Sequence, residues 1–267
     1  MRFHVRLFCL LALLSALTWP MFAQQAQQDP TAVSIATRSL NVMGSASVST
    51  SQSDSSATGI LTMHFDTPVQ LSVTLESKGL TRTRAELQQT TGTSVRVVNG
   101  GRGAIQNPDG SVRQLAQVNL FAEHVSYIPS LSLLAEVQNP AAKIELVSLA
   151  AANGTPENVI AVGLGISTDP RQAQIQQGMS RTVFYVNSAT GLVDRVEYTS
   201  YSEAPNAGMP MQIQEVFSDY RNVNGVIVPF HQTTFCDGRL ESDLQLNAVS
   251  FNLGLPDSDF VVPGGLQ

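Results

Sequence analysis

Residues 212–262 read QIQEVFSDYRNVNGVIVPFHQTTFCDGRLESDLQLNAVSFNLGLPDSDFVV. Three extended runs are separated by Asn224-Gly225 and Asp237-Gly238. Both central positions of a type I′ turn need positive φ, which Asn, Asp and Gly accept most readily. Run, turn, run, turn, run predicts an antiparallel β-meander.

Hairpins continue upstream. Arg181–Asn187 and Leu192–Tyr201 flank Ser188-Ala189-Thr190-Gly191, and Lys143–Leu149 and Asn158–Leu164 flank a loop over 150–157. The Gln-rich stretch Ser167–Ser180 has no useful period and is predicted to be an exposed loop, as is Ser202–Met211. Nearer the N-terminus, Val69, Leu71, Val73 and Leu75 alternate with Gln70, Ser72, Thr74 and Glu76. Alternation of period two means one packed face and one wet face. Gly59–Asp66, Leu80–Gln88 and Thr93–Asn99 are further strands, and Ala104–Gln106 and Ser111–Leu115 flank the turn Asn107-Pro108-Asp109-Gly110. Ser45–Ser56 is either loop or an irregular first strand.

Three segments carry helical spacing instead. Asp29-Pro30 supplies an N-cap and a favoured first helical residue for Thr31–Met43, and Gly44 supplies a stop. Ala116–Tyr127 and Ser130–Gln138 form a tandem pair broken at Pro129. Both are rich in large apolar residues, which must be buried against the sheet. The expected fold is therefore α+β: a single antiparallel sheet of about 10–11 strands, an N-terminal helix and two short helices.

Residues 1–23 have the layout of a secretory signal peptide, with Arg2 and Arg6 ahead of an apolar run over Leu7–Leu17. Residues 24–28 are read as a disordered mature N-terminus and 29–267 as one domain. Cleavage would leave 13 basic against 21 acidic residues, a net charge of −8, with Lys78 and Lys143 the only lysines. No basic cluster exists, so nucleic acid and anionic membrane surfaces are poor partners. Cleavage would also remove Cys9, leaving Cys236 as a lone, idle thiol and the fold without a disulfide.

No local motif carries chemistry. His64, His124 and His231 lie far apart, without metal-ligand spacing, and no G-x-S-x-G elbow occurs. Gly163-Leu164-Gly165 lacks the third glycine of a dinucleotide fingerprint. No catalytic residue, metal site or cofactor is assigned.

Three passages carry a family likeness: Glu76-Ser77-Lys78-Gly79-Leu80-Thr81-Arg82-Thr83-Arg84-Ala85-Glu86; Val97-Val98-Asn99-Gly100; and Phe217-Ser218-Asp219-Tyr220-Arg221 followed by Gly225 and Val228-Pro229-Phe230. With the order of elements, they resemble the LolA-type outer-membrane lipoprotein carrier superfamily of secreted bacterial proteins. The resemblance implies a curved, unclosed half-barrel whose helices cover the concave face, with acyl chains bound between the layers. It also implies a role for a basic residue near the early turn. Lys78 is the nearest match, although the family pattern has Arg.

The function so implied is a non-enzymatic carrier of lipid or acylated protein in the periplasm or outside the cell, without a stable membrane span after cleavage. An envelope sensor or protein-interaction module on the same scaffold is the alternative, with an envelope protein as partner. Candidate cavity residues are Leu71, Val73, Leu120, Phe121, Val125, Leu131, Leu134, Val228 and Phe230. The same residues fit a plain core, because apolar side chains facing a cavity and facing a core have one pattern.

Overall fold

A computed structural model of the chain describes residues 28–44, 54–120, 127–152, 155–201 and 208–264. Its elements are α1 (Pro30–Val42), β1 (Asp54–Met63), β2 (Val69–Lys78), β3 (Arg82–Gln89), β4 (Gly92–Asn99), β5 (Arg102–Gln106), β6 (Val112–Gln114), α2 (Gln117–Leu120), α3 (Pro129–Gln138), β7 (Ala142–Ala152), β8 (Thr155–Leu164), α4 (Pro170–Met179), β9 (Thr182–Asn187), β10 (Val193–Tyr201), β11 (Pro210–Val223), β12 (Val226–Cys236) and β13 (Arg239–Phe251). A 3-10 turn, Asp257–Phe260, follows.

The strands form one antiparallel sheet in the order β6-β5-β4-β3-β2-β1-β13-β12-β11-β10-β9-β8-β7. Thirteen strands stand among the described residues, against an expectation of 10–11. The sheet extends as far as the short β5 and β6, of five and three residues. Every neighbouring pair is consecutive in sequence except β1 and β13. The consecutive strands β6 and β7 therefore lie at opposite edges, unpaired with each other, and the half-barrel stays open. The chain joining them has to travel from edge to edge. α2 and α3 lie on that crossing, which is why they cover the concave face.

The meander β11–β12–β13 turns as its sequence requires. Asn224 and Gly225 have φ of 52° and 92°, and Asp237 and Gly238 have 49° and 76°. α1 begins where expected, with Asp29 Oδ1 accepting from the Thr31 and Ala32 N–H groups at 2.7 and 3.1 Å. Ala32, Ala36, Leu40 and Met43 form its buried stripe. Its end is pinned on the β11–β12 turn: Ile227 N–H donates to the Met43 carbonyl at 3.0 Å.

Two helical expectations are corrected. Ser167–Ser180 is not a loop, because Pro170–Met179 is helical. Asp169 caps it through the Arg171 N–H at 2.9 Å, and Ser180 Oγ bonds the Gln176 carbonyl at 2.7 Å. It docks on β8 because Gly163 and Gly165 have no side chains; a Cβ on Gly163 would lie 2.6 Å from the Gln177 carbonyl oxygen. Pro129 does not stand outside the second apolar helix but opens it, at the first helical position. The preceding segment, expected to be helical over 116–127, is helical at Gln117–Leu120; residues 121–126 lie outside the described residues.

The main core lies between the concave face and α1 and α3. Phe184, Phe217, Val228, Phe230, Ile144 and Ile160 from the sheet meet Leu131, Leu133 and Leu134 of α3. Each such side chain contributes about 1.5–3 kcal/mol by leaving water. α3 is buried nearly all round, with Pro129, Ser130 and Ser132 enclosed as well as its leucines. At its start the Tyr127 hydroxyl is 2.7 Å from Ser55 Oγ, which is 2.6 Å from Ser77 Oγ. That buried chain ties α3 to β1 and β2, and burial pushes the Tyr127 phenol up to about 12.

After β13 the chain runs back across the first strands as a strap. Asp54 accepts from the Leu253 and Leu255 N–H groups at 2.6 and 2.8 Å. Asn99 donates to the Phe260 carbonyl at 3.0 Å, and Gln114 to the Pro263 carbonyl at 3.1 Å. Phe260 is fully buried beneath it.

Candidate functional site: two clefts flanking a buried helix

Curling the sheet brings strands far apart in its order face to face. Arg96 of β4, Ile105 of β5 and Arg113 of β6 are register neighbours on one wall. On the opposite wall Val196 of β10 is paired with Glu215 of β11. The Tyr198 hydroxyl donates to Glu215 Oε1 at 3.1 Å. A cavity of about 540 Å³ lies between these walls and the N-terminal end of α3 at Pro129 and Ser132. Its lining is largely polar and includes Arg96, Arg113 and the buried Glu215.

A second cleft, of about 440 Å³, lies beside the C-terminal half of α3. Leu80, Val98, Leu120, Ala135, Leu164 and Ile166 make it largely apolar. α2 sits between the two, with Asn119 lining the first and Leu120 the second. Gly103 of β5 holds α2 close, since a Cβ there would lie 2.7 Å from Leu115 Cδ1 and 3.0 Å from Leu120 Cδ2. Asn119 anchors α2 to the far wall by accepting from the Tyr201 N–H at 2.7 Å and donating to the Tyr201 carbonyl at 2.8 Å.

By sequence the chain matches no protein-family model and no curated protein. Solved structures do match. A domain described as outer membrane lipoprotein-sorting, from Vibrio parahaemolyticus, is 14% identical over 84% of this chain and 97% of its own, with a TM-score of 0.55. A LolA superfamily protein from Nitrosomonas europaea is 13% identical over 85% of this chain and 97% of its own, with a TM-score of 0.53. The fold is LolA-like. A DUF1329 family protein from Desulfovibrio piger shares it at 14% identity over 86% of this chain and 96% of its own, with a TM-score of 0.56.

Within this LolA-like fold the residues singled out from sequence divide into three groups. Val73, Leu131, Leu134, Val228 and Phe230 are buried in the central core. Leu71, paired with Leu61, is half-buried on β2, and Leu120 lines the apolar cleft. Phe121 and Val125 lie outside the described residues. The centre of the concavity is thus occupied by α1 and α3, and open space remains at its two ends. Arg96, Arg113 and Glu215 were missed. Their signal is a charged residue in the inward register of a strand, as Glu215 stands between the buried Ile213 and Phe217.

Lys78, the nearest match to the basic residue of the LolA-like pattern, is held by the strap. Its Nζ is 2.8 Å from Asp257 Oδ1 and donates to the Leu255 carbonyl at 2.6 Å. Arg82 joins the same carboxylate at 2.7 Å.

One constellation invisible in sequence spacing needs weighing. Ser218 Oγ is 2.8 Å from His231 Nδ1, and His231 Nε2 is 2.8 Å from Asp243 Oδ2. These are the residue types of a nucleophilic triad, on adjacent strands β11, β12 and β13. His231 stands between the buried Phe230 and Gln232 and so projects away from the core. Beside Ser218, Asp219 has a left-handed backbone with φ of 53°, and hydrogen bonds from Arg221 hold its carboxyl below the usual range. An acyl adduct on Ser218 would develop negative charge next to that carboxylate, the opposite of what an oxyanion site supplies. The arrangement is a cross-strand polar ladder. Thr233 extends it, donating to Asp243 Oδ2 at 3.3 Å. Burial, then Glu241 and Asp237, push the Cys236 thiol up, so it is not an activated nucleophile.

Proposed function

We propose that this protein carries a lipid or an acylated protein through the bacterial cell envelope, binding and releasing its cargo without chemistry. Residues 1–23 direct export, 24–28 lead into the fold, and 29–267 form the carrier domain. The observation that carries this reading is the apolar cleft of about 440 Å³ that opens beside α3 in a LolA-like half-barrel. Each methylene buried there contributes about 0.8 kcal/mol, so an acyl chain gains affinity from shape and dryness alone. Leu120 is the first contact for such a chain. Val73, Leu131, Leu134, Val228 and Phe230 become contacts as α3 yields space to a longer one. Among the described residues no helix is long and apolar enough to cross a membrane.

The test is mass spectrometry of small molecules extracted from the protein purified from its own envelope, with displacement of a fluorescent fatty acid in parallel. Co-purified acyl chains and saturable displacement are expected. A lipid-free protein that fails to bind the probe, and instead purifies with an envelope protein, overturns the carrier in favour of an interaction module.

A further inference from the structure

We infer that the Lys78–Asp257–Arg82 cluster is the latch of the apolar cleft, a regulation of that site which rests on the carrier reading above. Two hairpin tips supply part of the cleft's lining: Leu80 and Thr81 between β2 and β3, and Val98, Gly100 and Gly101 where β4 turns into β5. The C-terminal strap holds both. Lys78 and Arg82 bracket Leu80-Thr81, and both reach Asp257 Oδ1, at 2.8 and 2.7 Å. Asn99 stands between Val98 and Gly100 and donates to the Phe260 carbonyl at 3.0 Å. The 3-10 turn Asp257–Phe260 packs on β3 and β4.

The parts of this wall are not equally fixed. Phe260 is fully buried, so the strap stays seated over β4. The Asp257 side chain is 75% exposed. Leu164 and Ile166, which line the cleft from the end of β8, are fixed by backbone donors. Leu164 N–H donates to Ser180 Oγ at 2.8 Å, Gly165 N–H to the Ala141 carbonyl at 3.1 Å, and Ser167 N–H to Gln176 Oε1 at 2.9 Å. The β2–β3 tip is thus the lining element held by an exposed ionic cluster. Exposed ion pairs contribute little net stability, so this latch breaks without loosening the core. Its release lets Leu80 and Thr81 swing aside, and an acyl chain enters or leaves. Because the same contacts are remade once the chain is seated, losing them changes the barrier and not the equilibrium. Asp257 is a positioning residue: it acts through Lys78 and Arg82 on the wall and does not touch the cargo.

The experiment is stopped-flow binding and displacement of a fluorescent fatty acid with the mature protein, alongside Tm. In Asp257→Ala the association and dissociation rates should both rise about fivefold, the scale of one exposed ion pair, with Kd held within about twofold. Arg82→Gln should act in the same direction, and Asp257→Glu should restore the slow rates. Lys143→Gln, which removes the Lys143–Glu145 ion pair on β7, should leave both rates unchanged. Unchanged rates in Asp257→Ala and Arg82→Gln overturn the latch and leave the carrier standing. A rise in dissociation alone, with weaker binding, also overturns it, because the cluster then shapes the bound state. Equal acceleration in Lys143→Gln overturns it as an effect of net charge. An unaltered protein that binds no probe overturns the carrier reading itself.

Discussion

Lys78 and Asp257 form an ion pair of 2.8 Å that locks the C-terminal strap onto the hairpin between β2 and β3. Hydrogen bonds from Lys78 and then Arg82 hold the Asp257 carboxyl below its ordinary value of 3.8. A depressed carboxyl contributes stability above its unfolded pKa and loses it as pH falls through the folded one. The strap should therefore stay closed from neutral pH to about 4 and loosen below it. Hydrogen exchange at residues 252–264 is the measurement. Asp257→Asn should show at neutral pH the fast exchange that the unaltered chain shows only in acid, with the core strands unaffected. Identical exchange in both would mean that the Asp54, Asn99 and Gln114 hydrogen bonds hold the strap without the ion pair.

Gly163 is the contact on which α4 depends. In Gly163→Ala the new Cβ meets backbone rather than a yielding side-chain end. α4 should lift from β8, at a cost of about 1–3 kcal/mol. Proteolysis between residues 165 and 181 should quicken and Tm should fall. An unchanged cleavage rate would show that the helix end can shift to make room.

Leu134 separates cavity from core. It is 6% exposed and packed in the main cluster. Leu134→Ala should lower unfolding free energy by about 2–5 kcal/mol, and Leu134→Asp should unfold the protein rather than merely empty it. Denaturant titration reads the first and circular dichroism the second. Leu120→Asp, on the wall of the apolar cleft, should instead keep the fold and lose fatty-acid binding. A folded Leu134→Asp protein would place that side chain in open space.

Ser218 should be inert. A fluorophosphonate probe is expected to leave it unlabelled at pH 8, because the neighbouring Asp219 opposes the developing oxyanion. Labelling that disappears in Ser218→Ala or His231→Gln would turn the ladder into a working triad and the protein into a hydrolase.

Much of the fold was legible because it is written locally. The Asn224-Gly225 and Asp237-Gly238 turns, the alternation through Val69–Leu75 and the Asp29-Pro30 cap each act over a few residues. The same cap signal recurs at Asp169-Pro170, where polar composition hid a helix; α4 has no buried face to advertise it. The candidate site was less legible. Leu120 and Leu134 have the same chemistry and similar spacing, yet one lines a cleft and the other is packed solid.

The sequence by itself determined most of the strands, their turns and the apolar helix α3, since backbone φ, side-chain period and capping are local properties. Tertiary structure alone decided that β1 pairs with β13, that β6 and β7 end at opposite edges, and that Arg96 and Glu215 line one cavity. Those relations depend on how a thirteen-stranded sheet curls, a sum of small twists that no single stretch of sequence encodes.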